Sequence, residues 1–126
     1  MKKIIQTKNA PAPIGPYNQA ILVNDILYTS GQIAINVTSG ELVLDTIEAE
    51  TKQVMENLKA ILTEVNMTFD DVFKTTIFLS DMHNFSKVNA VYGSYFKENI
   101  APARETVEVA NLPKFVHVEI SVLATK

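Results

Sequence analysis

The feature that most constrains this chain is its closing stretch, Val116-His117-Val118-Glu119-Ile120-Ser121-Val122-Leu123-Ala124. Successive side chains of an extended backbone point to opposite faces, so Val116, Val118, Ile120, Val122 and Ala124 form one apolar ladder. His117, Glu119, Ser121 and Leu123 fall on the other side. A ladder of that kind needs an apolar cover, and the middle of the sequence supplies one. Ile47, Thr51, Val54, Met55, Leu58, Ile61, Leu62 and Val65 recur at three- and four-residue spacing, with Glu50, Lys52, Gln53, Glu56 and Lys59 on the remaining surface. The spacing predicts a long helix beginning near Thr46, with Asp45 and Glu48 supplying its N-terminal capping carboxylates.

The remaining segments complete the same architecture. Three prolines between residues 10 and 16 forbid regular helix, and two short strand candidates, residues 20–23 and 26–30, flank the turn signal Asn24-Asp25. Residues 36–40 read as a further turn. Residues 72–79 are rich in β-branched and aromatic side chains. Asp81 then caps a second helix whose apolar stripe is Phe85, Val88, Val91, Tyr92, Tyr95 and Phe96. Residues 106–109 alternate, and they lie close enough in sequence to the closing ladder to pair with it. The order hairpin, helix, strand, helix, strand, strand predicts one α+β domain over residues 1–126, a sandwich of a mixed sheet with two helices on one face. The opposite sheet face carries polar groups other than plain Lys and Glu, which predicts burial against another copy of the chain.

Several classes of function lose support at this stage. Eleven basic and fourteen acidic residues give a formal charge of -3, and no Lys/Arg cluster offers a footprint for a phosphate backbone. No cysteine is present, so disulfides, thiolate metal sites and cysteine nucleophiles are absent. The start, Met1-Lys2-Lys3-Ile4-Ile5-Gln6, has the charge of a secretory signal without its apolar core, and no run approaches the ~18 apolar residues of a membrane span. A cytoplasmic protein with no nucleic-acid or membrane partner is the expectation. His83 and His117 stand in no metal-binding spacing, and no serine sits in a G-x-S-x-G elbow. The glycines form no nucleotide-binding loop, so nucleotide binding loses its usual signal.

Two residues stand out as chemistry. Arg104, in Pro102-Ala103-Arg104-Glu105-Thr106, sits at a strand mouth after a proline-bounded loop. A guanidinium there can grip a small carboxylate through two parallel hydrogen bonds, although an exposed arginine in a salt bridge fits the same residues. Glu119 lies on the polar side of the closing ladder, near Arg104 if the last two strands pair. Covered by a neighbouring subunit, it becomes a desolvated carboxylate suited to accept a proton; left open, it is an ordinary solvated glutamate.

These segments, taken in order, resemble the RidA/YjgF family of reactive-intermediate deaminases. The likeness is carried by Ile14-Gly15-Pro16-Tyr17, Tyr28-Thr29-Ser30-Gly31-Gln32-Ile33, Pro102-Ala103-Arg104, and Leu112-Pro113 followed by Val118-Glu119-Ile120. Asn57-Leu58-Lys59-Ala60, Lys74-Thr75-Thr76-Ile77-Phe78-Leu79-Ser80-Asp81-Met82 and Val88-Asn89-Ala90-Val91-Tyr92 extend it over nearly the whole chain. The resemblance implies a chorismate-mutase-like fold assembled as a homotrimer with clefts between subunits. It implies cofactor-free hydrolysis of 2-iminobutanoate, 2-iminopropanoate and related imines or enamines, which escape from pyridoxal-phosphate dehydratases, to 2-keto acids and ammonia. By the same resemblance Arg104 holds the substrate carboxylate and Glu119 activates water. Tyr17 and Ser30 supply supporting hydroxyl groups, Gly31 allows close backbone approach, and Thr106 and Asn89 line the cleft.

This chain departs from the family pattern at three places. Thr106 replaces a frequent cysteine and Ser121 a frequent glutamate, which puts substrate range and rate in question, and Asn99-Ile100-Ala101 lacks the aromatic residue that often precedes the P-A-R motif, which implies a more open cleft wall. A trimeric binder or sensor of small 2-keto acids is the competing reading, since Arg104 alone suffices for capture. The ribonuclease and translation-inhibitor labels carried by some relatives meet an acidic chain without a basic groove.

Overall fold

The computed structural model describes residues 1–126. Six strands, β1 (Lys3–Ile5), β2 (Ala20–Val23), β3 (Ile26–Thr29), β4 (Val72–Leu79), β5 (Ala103–Glu108) and β6 (Val118–Thr125), join in one sheet of order β1-β2-β3-β6-β4-β5. Only β4 and β5 run parallel; the other neighbouring pairs are antiparallel. Helix α1 (Ile47–Glu64) links β3 to β4, and α2 (Phe85–Gly93) links β4 to β5. Both helices pack on one sheet face, as an α+β sandwich requires. Neither is long and apolar enough to cross a membrane.

Local chemistry explains these elements. The β2–β3 hairpin turns at Asn24 and Asp25, with φ of 50° and 65°. The two-residue hairpin turn needs positive φ at both central positions, and Asn and Asp tolerate it best after Gly. Helix α1 is capped by Thr46, whose side chain accepts from the Ala49 N–H, rather than by Asp45. Its inward face, Val54, Met55, Leu58, Ile61 and Leu62, meets Leu27, Ile77, Leu79, Val118, Ile120 and Val122 in the main core. Each such side chain, fully buried, contributes roughly 1.5–3 kcal/mol.

The structure corrects four readings of the sequence. Strands β5 and β6 do not pair: β4 lies between them, bonded to each. Strand β5 begins at Ala103, ahead of the start at residue 106 read from the alternation, with Arg104 its second residue at the strand mouth. Glu50, assigned to the solvent side of α1, is fully buried because a set of backbone donors at the start of β6 requires an acceptor. Helix α2 stops at Gly93, and Tyr95 and Phe96 pack beyond it against Phe69, each with ring centroids 5.3 Å away.

The second sheet face has no cover within the chain. Tyr28, Phe73 and Val107 are exposed there, beside Glu119, Ser121 and the Lys74–Glu105 ion pair. Exposed aromatic and aliphatic side chains on one flat face are what a sheet presents to a partner.

Candidate functional site

The residues singled out from sequence form two groups, one on each side of the sheet. Register decides the sides. Arg104 is opposite Thr75, which is buried in the helix-covered face, and Thr106 is opposite buried Ile77. Glu119 is opposite Phe78, one of the residues that point to the uncovered face. Arg104 and Glu119 therefore point away from each other, separated by β4. The expected proximity of the two within one chain fails because it assumed that β5 and β6 were neighbours.

The first group lies between β5 and α2. Arg104 Nη1 donates to Asn89 Oδ1 at 2.6 Å. The guanidinium carbon sits 5.1 Å from the Tyr92 ring centroid and 5.5 Å from that of Phe85, inside the range for cation–π attraction. The Tyr92 hydroxyl shares a 2.8 Å hydrogen bond with Thr75 Oγ1. Burial pushes that hydroxyl's pKa up, opposed by the Thr75 bond and by the Arg104 charge. Two residues beyond Arg104 on the same side, Thr106 Oγ1 is buried and has no hydrogen-bond partner in the chain. A buried hydroxyl without a partner is uncommon, and it marks a place where a ligand or water completes the bonding.

The second group lies on the uncovered face. The Glu119 side chain covers the backbone of Gly31 so closely that a Cβ there would stand 2.7 Å from Glu119 Cδ. Paired bonds between Gln32 and Ile120, 2.8 and 3.1 Å, hold the two segments together at that point. Glu119 makes no ion pair, and desolvation raises its carboxyl above the ordinary glutamate value. The Ser30 hydroxyl donates to the Asn18 carbonyl at 2.5 Å, and its N–H donates to the Gln19 carbonyl. The Tyr17 hydroxyl accepts from the Ile14 N–H at 3.2 Å, and its ring is exposed. Tyr17 and Gly31 line one narrow cleft with the residues of the proline-rich segment.

A much larger groove, about 1000 Å³, runs along residues 6–14 and reaches Asn36, Glu64 and Lys114. It includes none of Arg104, Glu119, Tyr17, Ser30, Gly31, Thr106 and Asn89. The smaller clusters are the candidates for chemistry because they hold the unpaired carboxylate, the stacked guanidinium and the unpartnered hydroxyl; size alone supplies none of these. The two histidines stand apart, His83 on Asp81 and His117 on Glu50, each at one carboxylate.

Sequence reasoning placed Phe85 and Tyr92 in a packing stripe and missed their contact with Arg104. Their spacing with Asn89, four residues and then three, held the signal, because such positions share one helix face. Glu50 carried no signal that distinguishes it from its exposed neighbours.

A family model described as Endoribonuclease L-PSP matches residues 7–126. A RutC family protein of Synechocystis sp. is 53% identical over 97% of this chain and 95% of its own length. The 2-iminobutanoate/2-iminopropanoate deaminase of Escherichia coli is 44% identical over 100% of this chain and 99% of its own. A crystal structure of a Rid family protein of unknown function from Yersinia pestis superposes with a TM-score of 0.96, at 52% identity and 100% coverage of both chains.

Proposed function

The chain belongs to the endoribonuclease L-PSP family, which includes the Rid (YjgF) proteins, and on that footing we propose that it is a hydrolytic deaminase of small 2-imino acids. The reaction takes 2-iminobutanoate or 2-iminopropanoate and water to the 2-keto acid and ammonia. The E. coli relative that bears this activity in its name supports the substrate class.

One observation carries the reading: a guanidinium and an unpaired, desolvated carboxyl lie on opposite faces of one sheet. No molecule of imino-acid size spans both within one chain. Copies packed on the uncovered face bring Glu119 of one protomer toward the Arg104 edge of the next, and a homotrimer does this three times by symmetry. In that cleft Arg104 grips the substrate carboxylate, and Thr106 Oγ1 gains the partner it lacks in the lone chain.

The chemistry follows from the carboxyl. Ionised Glu119 takes a proton from water as the water oxygen bonds to C2, and gives that proton to the imine nitrogen as the nitrogen takes up the electron pair of the C=N bond, which yields the neutral carbinolamine. The carboxylate then carries the hydroxyl proton to the amino nitrogen. The C–N bond breaks as the C=O bond forms, and ammonia and the 2-keto acid leave with Glu119 again ionised. Ser30 and Tyr17 stand beside this path with hydroxyl groups, and Gly31 admits the substrate close to the backbone. Asn89 holds Arg104. The substrate itself is what pyridoxal-phosphate dehydratases release, so such an enzyme is the expected source.

The test generates 2-iminobutanoate in situ and follows its loss with wild type, Arg104→Ala and Glu119→Ala. Both variants alone are expected to be inactive. Mixed and reassembled, they are expected to regain activity, since some clefts then combine an intact Arg104 with an intact Glu119. Wild-type protein that binds 2-oxobutanoate yet accelerates no imine loss would favour the sensor reading instead.

A further inference from the structure

Phe85, Asn89 and Tyr92 lie on one face of α2, and all three contact the Arg104 side chain. Tyr92 is in turn tied through its hydroxyl to Thr75, the residue directly opposite Arg104 on the neighbouring strand. The contacts close a circuit from strand to helix and back. We propose that Phe85 and Tyr92 are positioning residues: with Asn89 they hold the Arg104 guanidinium in one plane, leaving its free N–H edge facing the substrate carboxylate. This rests on the carboxylate-gripping role given to Arg104 above.

The physical need is plain. An arginine side chain has about 2 kcal/mol of rotamer entropy, and an unsupported one loses it when it clamps a ligand. Two aromatic faces and one amide oxygen remove that freedom before binding. Asn89 is the only side chain that hydrogen-bonds the guanidinium within the chain, so the other donors stay available. Phe85 is 37% exposed, while Tyr92 on the same helix face is 6% exposed, so the guanidinium meets one half-open and one buried ring.

Phe85→Leu keeps an apolar side chain and removes the aromatic face; Phe85→Trp restores the face. Tyr92→Phe removes only the tie to Thr75. Phe85→Leu is expected to raise the Kd for 2-oxobutanoate and the KM for the imine about two- to fivefold with kcat nearly unchanged, and Phe85→Trp to reverse this. A second readout does not depend on activity: the ¹⁵N signals of the Arg104 guanidinium, whose rotation about Nε–Cζ is expected to be slow in wild type and faster in Phe85→Leu and Tyr92→Phe. Equal rotation in all these proteins, with melting temperatures matched, overturns the proposal. Slow wild-type rotation released by Phe85→Leu, in a protein that neither binds the keto acid nor consumes the imine, supports the cradle and rejects the deaminase reading instead.

Discussion

Replacing Glu50 by alanine is expected to be among the most damaging single changes in the fold, although the residue lies outside the proposed site. Its carboxyl is fully buried and accepts from three donors: the His117 N–H at 2.7 Å, the Val118 N–H at 3.0 Å and His117 Nδ1 at 2.8 Å. Alanine orphans the two backbone donors where β6 begins, while the ring of His117, 44% exposed, can turn to water. An orphaned buried donor costs roughly 1–3 kcal/mol, so the pair gives roughly 2–6 kcal/mol. Glu50→Gln keeps an acceptor for the backbone donors and presents an N–H to an unprotonated Nδ1, so a loss of only about 1 kcal/mol is expected. Urea titration of both variants at neutral pH, followed by far-UV circular dichroism, reads the difference directly. An alanine variant within about 1 kcal/mol of wild type would refute the reasoning, since it would mean that water already satisfies those donors.

Other expectations follow from the two clusters. Glu119→Gln is expected to stabilise the protein at neutral pH: burial raises the carboxyl in the folded state, so ionisation is disfavoured there. The wild type loses that stability as pH rises through the raised value, and the advantage of the variant should vanish below the ordinary glutamate range; melting curves across pH test this. Gly31→Ala is expected to keep its melting temperature but lose most activity, because the new Cβ, 2.7 Å from Glu119 Cδ, displaces a flexible side chain rather than backbone. Arg104→Lys is expected to weaken 2-oxobutanoate binding by about tenfold or more, as measured by calorimetry, since an ammonium cannot reproduce the planar fork or its stacking on Phe85 and Tyr92.

Much of the fold was legible because periodic patterns report burial directly. The alternation of β6 and the inward stripe of α1 both meet the core as their spacing predicts. Strand order was not legible, because nothing in residues 103–125 states that β4 inserts between β5 and β6. Burial of single polar residues was equally silent: Glu50 and Asn57 look like any surface residue of an amphipathic helix until their partners, the start of β6 and the Ile33 and Ile35 carbonyls, are in place. Arg104 and Glu119 stood out from their strand positions, but the other candidate residues were found through family likeness rather than spacing, since Tyr17, Ser30 and Gly31 belong to loops whose geometry depends on Gln19. That buried side chain ties Thr7, Ala10 and Pro11 together by hydrogen bonds to their backbones.

The error in strand order has a functional meaning. Had β5 and β6 been neighbours, Arg104 and Glu119 would have faced each other in every monomer, and the arginine would have held the carboxylate ionised at an ordinary or lower pKa. With β4 between them, Glu119 keeps its raised value and Arg104 keeps free donors. Each group therefore stays unquenched within the single chain, and in the proposed cleft the substrate carboxylate enters between them, satisfying the guanidinium before it can neutralise the base. Under the proposed function catalysis belongs to the assembly, so dilution below the dissociation constant of the proposed oligomer is expected to abolish turnover while leaving each protomer's own fold intact.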